Sequence, residues 1–379
     1  MFVVFFTGGA TGGHLIPIKQ IVREFKKYDL EVEFYWLGPK PRFPFNFEEI
    51  KPIWLADFQI RRYFSLKTFL DILKIPLIVL KTFFVLLIKM PNLVFSKGGS
   101  VSFFVNLIAY IFGIPVIIHE SDSLPGLSNK VSSYFAEKIL ISFEKTKDYF
   151  PRKEKKEFIL TGQPVLEEII NYKFSEEELK KMNISKDEKL ILIMGGSQGA
   201  REINEIIIEI LPKLIEKYQV VHLTGAGLFQ ETKDLAYFAI RNLKRSSAYH
   251  VFSFLSQEEL GKFYNLASLV ISRAGSGSIF EISYFGIPSI IIPLREEVVG
   301  PHQVSNALLY QEAGACKVIH PENLKPNILL FQIEEILNNK EIYNQMKINA
   351  SKFYLKNAGA KIAKIIYDLL SSRYEIIRL

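Results

Sequence analysis

The sequence has a single cysteine, Cys316, among its 379 residues, so no disulfide can form within the chain. This scarcity argues against a disulfide-stabilised secreted scaffold and favours a reducing compartment. A secretory signal is also missing, because Met1 to Phe6 is short, uncharged and followed directly by glycines. We therefore expect a cytoplasmic protein whose first residues form a buried strand.

Motifs for metals, NTPs and nicotinamide cofactors are absent as well. The chain has no Asp-x-Asp, and its six histidines are not spaced as metal ligands. We expect no metal site and no required cofactor, with loosely bound magnesium left open. Neither of its two glycine loops fits an NTPase phosphate loop or a dinucleotide-binding fingerprint. The basic residues are dispersed, which disfavours nucleic-acid binding.

What the chain does contain is enough apolar material for two domains. Hydrophobic residues make up 49% and charged residues 23%, and the net charge is +7. Short apolar runs alternate with helical stretches after Phe2 to Phe6, and the same pattern restarts at Leu190 to Met194. We predict two doubly wound, Rossmann-like α/β domains, 1–163 and 164–357, with a C-terminal helix at 358–370 that could pack on either.

Both predicted domains begin with a strand, a glycine loop and a helix. The loops are Thr7 to His14 and Gly195 to Ala200. Glycines let backbone amides approach an anion at a helix N-terminus, so a diphosphate would fit either loop. A third segment, Arg273 to Glu281, follows a strand and opens a helix. Its small residues leave room for a ligand, and the Glu281 carboxylate can accept hydrogen bonds from two ribose hydroxyls.

Together these segments resemble glycosyltransferase family 28, whose members have the GT-B fold. The similarity extends over almost the whole chain, and further motifs support it: residues 97–100, 119–120, 125–130, 303 and 306–307. The resemblance implies an inverting transfer of N-acetylglucosamine from UDP-N-acetylglucosamine to an undecaprenyl-pyrophosphate-linked N-acetylmuramoyl-pentapeptide, a step of peptidoglycan synthesis. It also implies a donor site in the second domain, an acceptor site in the first, and a peripheral position on the cytoplasmic face of the cell membrane.

The resemblance also implies site residues. Those expected to bind the donor are Thr11, Gly12, Gly13, Ser197, Gln198, Gly199, Leu255, Ser276, Gly277, Ser278, Ile279, Glu281 and Gln303. Those expected to bind the acceptor are Gly98, Gly99, His119 and Asn129. For the base we favour His14, because an imidazole ionises near neutrality and His14 begins a helix beside the acceptor site. Glu120 is the alternative.

Three positions depart from the family pattern, which has Asn at Asp122, Arg at Leu166 and Gln at His302. The stretch from Pro293 to Gln303 is also longer than usual. These departures leave the donor sugar and acceptor open. The alternatives are a transferase of the same fold with another lipid acceptor, a UDP-N-acetylglucosamine epimerase and a non-catalytic UDP-sugar-binding subunit.

Ser65 to Met90 is too apolar for an ordinary surface helix. Lys74, Lys81 and Lys89 interrupt it, so no uncharged run reaches the roughly 20 residues that span a bilayer. We predict that this segment docks on an anionic membrane surface without crossing it, with Phe and Leu entering the interface and Lys reaching head groups. The alternative is a pair of core helices whose lysines face water.

Overall fold

The structure, a computed structural model, describes residues 1–43, 45–58, 71–196 and 199–375, without the side chains of residues 298, 299, 374 and 375. The chain forms two compact units. The first comprises Met1–Pro164 and Leu355–Leu379, and the second comprises Val165–Tyr354.

The first unit is built on a parallel seven-stranded sheet of order β3-β2-β1-β4-β5-β6-β7. Its strands are β1 Phe2–Thr7, β2 Val32–Gly38, β3 Lys51–Trp54, β4 Leu93–Ser96, β5 Val116–Glu120, β6 Lys138–Ile141 and β7 Phe158–Leu160. Its helices are α1 Gly12–Phe25, α2 Ile75–Lys89, α3 Ser100–Ile111, α4 Leu127–Ser132 and, from the end of the chain, α15 Ala358–Glu375. Two short 3₁₀ helices lie at Glu144–Tyr149 and Lys153–Lys155.

The second unit has a parallel six-stranded sheet of order β10-β9-β8-β11-β12-β13. Its strands are β8 Leu190–Met194, β9 Gln219–Leu223, β10 Tyr249–Phe252, β11 Ala267–Ser272, β12 Ser289–Ile291 and β13 Cys316–Val318. Its helices are α5 Glu167–Ile170, α6 Glu176–Met182, α7 Arg201–Lys217, α8 Phe229–Ile240, α9 Gln257–Leu266, α10 Ser276–Phe285, α11 Glu296–Val299, α12 His302–Glu312, α13 Pro326–Asn338 and α14 Lys340–Phe353. Three 3₁₀ turns lie at Ala226–Leu228, Ser246–Ala248 and Pro321–Asn323.

Both sheets are covered by helices on two faces, which explains their continuously apolar central strands. All five residues of β8 are buried, and α7 turns one apolar face toward the sheet. In the first unit, α1 and α15 pack together over the sheet, with Ile362, Ile366 and Leu370 in the shared core. The last helix therefore contributes to the core of the first unit.

The bounds of four elements determine where candidate residues lie. The strand β5 extends to Glu120, so both His119 and Glu120 lie on it. The strand β10 ends at Phe252, two residues before Phe254. The helix α1 begins at Gly12, so the prediction that His14 begins this helix was wrong by two residues. Glu281 is the sixth residue of α10, about one and a half turns into the helix.

Candidate active site

In the first unit, the candidate residues follow neighbouring strands at the carboxyl edge of the sheet. The segments that follow β1, β4 and β5 carry His14 on α1, Gly98 in a loop and Asn129 on α4, and these three strands are adjacent in the order β1-β4-β5. Ligands of open parallel sheets bind outside this edge. The topology thus collects residues that are more than a hundred positions apart in sequence.

The glycine turns of this edge pack too closely for larger side chains. A Cβ on Gly9 would lie 2.6 Å from His14 Nδ1, and one on Gly99, whose φ is +102°, would lie 3.0 Å from the Gly9 nitrogen. The loop after β1 and the loop after β4 are therefore in direct contact. Thr11, Gly12 and Gly13 are exposed or half-buried at the start of α1, and Thr11 makes no side-chain cap there. Backbone amides of the first turn remain available to a ligand.

His14 is half-buried, and its Nδ1 accepts a hydrogen bond from the Gly9 N–H. Burial, assisted by the positive charge of Lys97, lowers the pKa of His14 to about 4. The imidazole is therefore neutral at pH 7. Because Nδ1 is the acceptor, Nε2 carries the ring proton in this arrangement.

Lys97 is a buried cation that the sequence analysis did not assign to the site. Its Nζ donates to His119 Nδ1 at 2.9 Å, to Gln163 Oε1 at 3.2 Å and to Ser121 Oγ, so all three ammonium protons have acceptors. Burial lowers the pKa of Lys97 to about 7. Its sequence signals are its place in the motif at residues 97–100 and its position directly after a buried strand.

His119 lies beneath the surface. Its side chain is fully buried, and its Nε2 donates to the Gly162 carbonyl at 3.1 Å while Nδ1 accepts from Lys97. Burial holds the pKa of His119 well below its usual value. Both ring nitrogens of His119 are therefore engaged within the protein rather than presented to an acceptor, and the residue links β5 to the backbone at Gly162, after β7.

Glu120 organises the loop that follows β5. Its carboxylate accepts hydrogen bonds from the Asp122 N–H at 3.0 Å, the Gly126 N–H at 3.0 Å and Asn129 Nδ2 at 2.8 Å. Burial, and then the charge of Asp122, raise the pKa of Glu120. Asn129 is 2% exposed and packs against Gly98, and its Oδ1 has no hydrogen-bond partner among the described residues. That buried oxygen is an unused acceptor.

In the second unit, the glycine loop after β8 is built by close backbone contacts. A Cβ on Gly199, whose φ is +78°, would lie 2.3 Å from the Thr224 carbonyl oxygen. The loop leads into α7, whose N-cap, Ala200, provides no side-chain cap. Ser197 and Gln198, both predicted to bind the donor, lie outside the described residues.

Glu281 projects from α10 beside Tyr264, whose hydroxyl donates to Glu281 Oε2 at 3.0 Å. Burial raises the pKa of Glu281 to about 7. Among the described residues, no group donates a hydrogen bond to its other carboxylate oxygen, so a ligand hydroxyl can bind there. The structure thus shows a half-buried carboxylate that is oriented by a tyrosine.

The remaining predicted donor residues differ in accessibility. Gly277 and Ser278 are half-buried at the start of α10, whereas Ser276 is 7% exposed. Ile279 and Leu255 are buried, with 0% and 3% exposure, so their side chains pack inside the unit rather than on its surface. Phe254, which was not among the residues predicted to bind the donor, is next to Leu255 in sequence and is 60% exposed.

The segment between β12 and α12 positions Gln303. The Leu294 N–H donates to Gln303 Oε1 at 3.0 Å, and the buried Asn306 donates to the Ala274 carbonyl at 3.1 Å. His302 begins α12. Leu166, where the family pattern has Arg, is 3% exposed and packs as an apolar residue.

Residues 65–70 of the predicted membrane segment lie outside the described residues. In the remainder, Ile78, Thr82 and Leu86 are buried against the first unit, and the other side of α2 presents exposed apolar side chains. Leu77, Phe84 and Ile88 on α2 are 68%, 49% and 75% exposed. Two lysines of the segment have partners within the protein: Lys74 pairs with Asp71 at 2.6 Å, and Lys81 donates to the Trp54 carbonyl at 2.8 Å.

Two features are absent from the described residues. Within the described ranges, no helix is long and apolar enough to cross a membrane. The same part of the chain contains no group of three or more His, Cys, Asp or Glu side chains that could hold a metal ion.

Solved structures with similar folds include transferases and epimerases. The MurG of Acinetobacter baumannii matches with a TM-score of 0.69 and 23% identity, covering 97% of this chain and 100% of that one. A putative UDP-N-acetylglucosamine 2-epimerase from Listeria monocytogenes matches with a TM-score of 0.70 and 16% identity, covering 99% and 97%. At these identities the likeness establishes the GT-B fold alone.

Sequence relatives are more specific. The proteins named UDP-N-acetylglucosamine–N-acetylmuramyl-(pentapeptide) pyrophosphoryl-undecaprenol N-acetylglucosamine transferase are 32% identical in Borrelia garinii subsp. bavariensis and 36% identical in Legionella pneumophila strain Paris, each match covering 96% of both chains. The family models for the N-terminal and C-terminal domains of glycosyltransferase family 28 match residues 3–141 and 190–364. These matches cover both domains and nearly the full length of the relatives, and they agree with the two glycine loops at corresponding strand ends. The chain therefore belongs to glycosyltransferase family 28.

Proposed function

We propose that this chain transfers N-acetylglucosamine from UDP-N-acetylglucosamine to an undecaprenyl-pyrophosphate-linked N-acetylmuramoyl-pentapeptide, a step of peptidoglycan synthesis. The observation that carries the proposal is the match to relatives named for this reaction, which are 32% and 36% identical over 96% of both chains. Such coverage includes both sheets and every glycine loop described above.

The second unit supplies groups suited to the donor. Glu281 would accept the ribose hydroxyls, because Tyr264 already fixes one carboxylate oxygen. Gln303 would bind the sugar through its amide group, with Leu294 fixing the orientation of that amide. Phe254 is an exposed ring near the end of β10 on which a base could stack.

The first unit supplies groups suited to a polar, anionic acceptor. The first turn of α1 can bind a phosphate through backbone amides, and Asn129 Oδ1 is a buried acceptor without a partner. We expect leaving UDP to be stabilised by amides and helix N-termini, with magnesium neither required nor excluded.

His14 remains the proposed base, with one condition that its geometry imposes. Nδ1 accepts the Gly9 N–H, so His14 takes a proton at Nδ1 only after that bond is released. The alternative, Glu120, already accepts three hydrogen bonds. Its carboxylate would have to give up one of them to receive a substrate proton.

We also propose that α2 docks on the cytoplasmic face of the membrane. A surface patch containing Leu77, Leu80, Phe84, Leu87 and Ile88 is costly to leave in water and would enter the lipid interface. Because Lys74 and Lys81 are engaged within the protein, apolar contact rather than lysine attraction would dominate.

The test of the reaction is transfer of labelled N-acetylglucosamine from its UDP donor to a panel of lipid-pyrophosphate acceptors. The proposal expects product with the N-acetylmuramoyl-pentapeptide acceptor and little with diacylglycerol. Conversion of UDP-N-acetylglucosamine to its 2-epimer without transfer would instead support the epimerase. Binding of UDP with neither reaction would support a non-catalytic subunit.

The test of docking is flotation with vesicles of anionic or neutral lipid. The variant Leu77→Ser/Phe84→Ser/Leu87→Ser should stay with the soluble fraction. Phe83 is left intact because its ring packs on Phe112 with centroids 5.1 Å apart. The matched control is Phe331→Ser, which removes an equally apolar side chain, 63% exposed, from the second unit. Equal flotation of both variants and wild type would exclude this surface.

A further inference from the structure

Three charged side chains meet at the carboxyl edge of the second sheet. Glu202, in the first turn of α7, lies between two arginines: its Oε1 accepts from Arg295 Nη2 at 3.2 Å and Nε at 3.3 Å, and its Oε2 is 3.8 Å from Arg273 Nη2. The cluster adjoins the glycine loop, because Ser272 of β11 pairs in register with Met194 of β8. Arg273 and Gly195 are the next residues of those two strands.

Arg273 has an incompletely used hydrogen-bonding edge. Nη1 donates to the carbonyls of Ile292 and Pro293 at 3.3 and 3.0 Å, which fixes the guanidinium plane. Nε and Nη2 share the other edge, where Nε has no hydrogen-bond partner among the described residues and Nη2 is beyond hydrogen-bond distance from Glu202. The residue is 7% exposed, and an unsatisfied donor at such burial is unusual. Two oxygens of one phosphate group fit such an edge.

The other partners of the cluster are easily rearranged. The side chains of Arg295 and Glu202 are 49% and 46% exposed, and ion pairs at such positions contribute little to stability. Both also lie beside the N-terminus of α7, which favours an anion. A carboxylate therefore occupies a site whose two cations and helix end would bind a more highly charged group better.

We propose that Arg273 and Arg295 bind the diphosphate of the nucleotide donor, and that the Glu202 carboxylate occupies this subsite until the donor displaces it. The proposal rests on the donor assignment made above and names the charged groups that recognise its diphosphate. Arg295 belongs to the segment that is longer than the family pattern, and Leu166 leaves the second unit without the arginine of that pattern.

The test uses the full chain and calorimetric titration with UDP and with uridine. Arg295→Gln should lower UDP affinity about 10-fold, as expected for a charged hydrogen bond, and leave uridine affinity unchanged. Glu202→Gln should raise UDP affinity by roughly 3-fold, because a competing carboxylate is removed. Arg201→Gln is the control, since Arg201 pairs with Glu231 at 2.6 Å. Arg273 is not substituted, because it also holds two backbone carbonyls.

Arg295→Gln and Glu202→Gln are expected to change UDP affinity in opposite directions, which distinguishes this proposal from a purely structural role of the ion pair. If the Arg295–Glu202 pair only anchored the segment before α12, both substitutions would weaken UDP binding together, and that result would overturn the proposal. Equal losses of uridine and UDP affinity in Arg295→Gln would also overturn it.

Inorganic pyrophosphate, titrated alone, distinguishes this proposal from the donor assignment. If pyrophosphate binding follows the predicted order among the variants while UDP does not bind, the anion subsite stands and the donor assignment fails. If UDP binds but Arg295→Gln and Glu202→Gln leave UDP and pyrophosphate affinity unchanged, the donor assignment stands and the subsite fails. If wild type binds neither, both are overturned.

Discussion

The carboxyl edges of the two sheets present ionisable groups in contrasting ways. In the first unit, Lys97, His119 and Glu120 are buried and almost every polar atom has a protein partner. In the second, Glu281 and Arg273 keep donor or acceptor positions unused. The polar groups of the first edge are therefore fixed by the protein itself, whereas those of the second keep positions free for a ligand.

The largest expected effect tests the chemical role of the first edge. His14→Ala should lower turnover about 10²- to 10⁴-fold, because it removes the proposed base, while UDP affinity stays near the wild-type value. Single-turnover transfer and UDP calorimetry measure the two quantities. Near-normal turnover would move the base role to Glu120, and a parallel loss of UDP affinity would end the contrast between the edges.

The second expected effect tests whether the second edge is completed by a nucleotide. Glu281→Ala should weaken UDP binding by about 1.5–3 kcal/mol, the usual contribution of a hydrogen bond to a charged group. Tyr264→Phe is the matched control, since it removes only the hydroxyl that orients the carboxylate and should cost less. Unchanged UDP affinity in Glu281→Ala would contradict the ribose assignment.

A third prediction tests the burial of Lys97. Its pKa is about 7 in the folded chain because of burial, against 10.5 as the ordinary value. Between these pH values the unfolded chain binds more protons, so the free energy of unfolding should rise with pH, by at most about 1.4 kcal/mol per unit. Lys97→Met should lack this rise. Trp36 and Trp54, the two tryptophans of the chain, both lie in the first unit, so their fluorescence follows its unfolding by urea.

The smallest effect is the pH dependence of donor binding. Glu281 has a raised pKa of about 7, and only its ionised form accepts two hydroxyls. Affinity for UDP-N-acetylglucosamine should therefore rise roughly 10-fold from about pH 6 to pH 8. The sugar nucleotide is preferred to UDP because its phosphates do not titrate in this range. Glu281→Gln should show a flat profile, and a sloping profile in that variant would assign the titration elsewhere.

Much of the fold could be predicted from sequence because local signals agreed. The apolar runs of β1 and β8, the glycines that follow them and the helical spacing of α7 all indicated two parallel sheets. The strand β7 was missed, since its three residues are only partly buried at a sheet edge. Whether so short a segment forms an edge strand depends on the strands it pairs with, which a single sequence does not reveal.

The chemistry of the site was less predictable. Glu281 could be singled out because its segment combines glycine, serine and a helix start. The burial of Lys97 depends on Gln163 and Ser121, which lie 66 and 24 positions away, and Glu202 meets Arg295 across 93 positions. The order of strands in the sheet brings such pairs together, so no local sequence pattern predicts them.

Because α15 packs on the first unit, the two units cannot complete their folding in the order in which they are synthesised. Ile362, Ile366 and Leu370 cover apolar surface on α1, and a Cβ on Gly359 would come within 3.0 Å of the Gln20 side chain. During synthesis from the N-terminus, the second unit is therefore complete before the first has received its last core residues. Until then, apolar surface of α1 stays uncovered, and in nascent chains halted after residue 354 the first unit should be less protected from protease than in full-length chains.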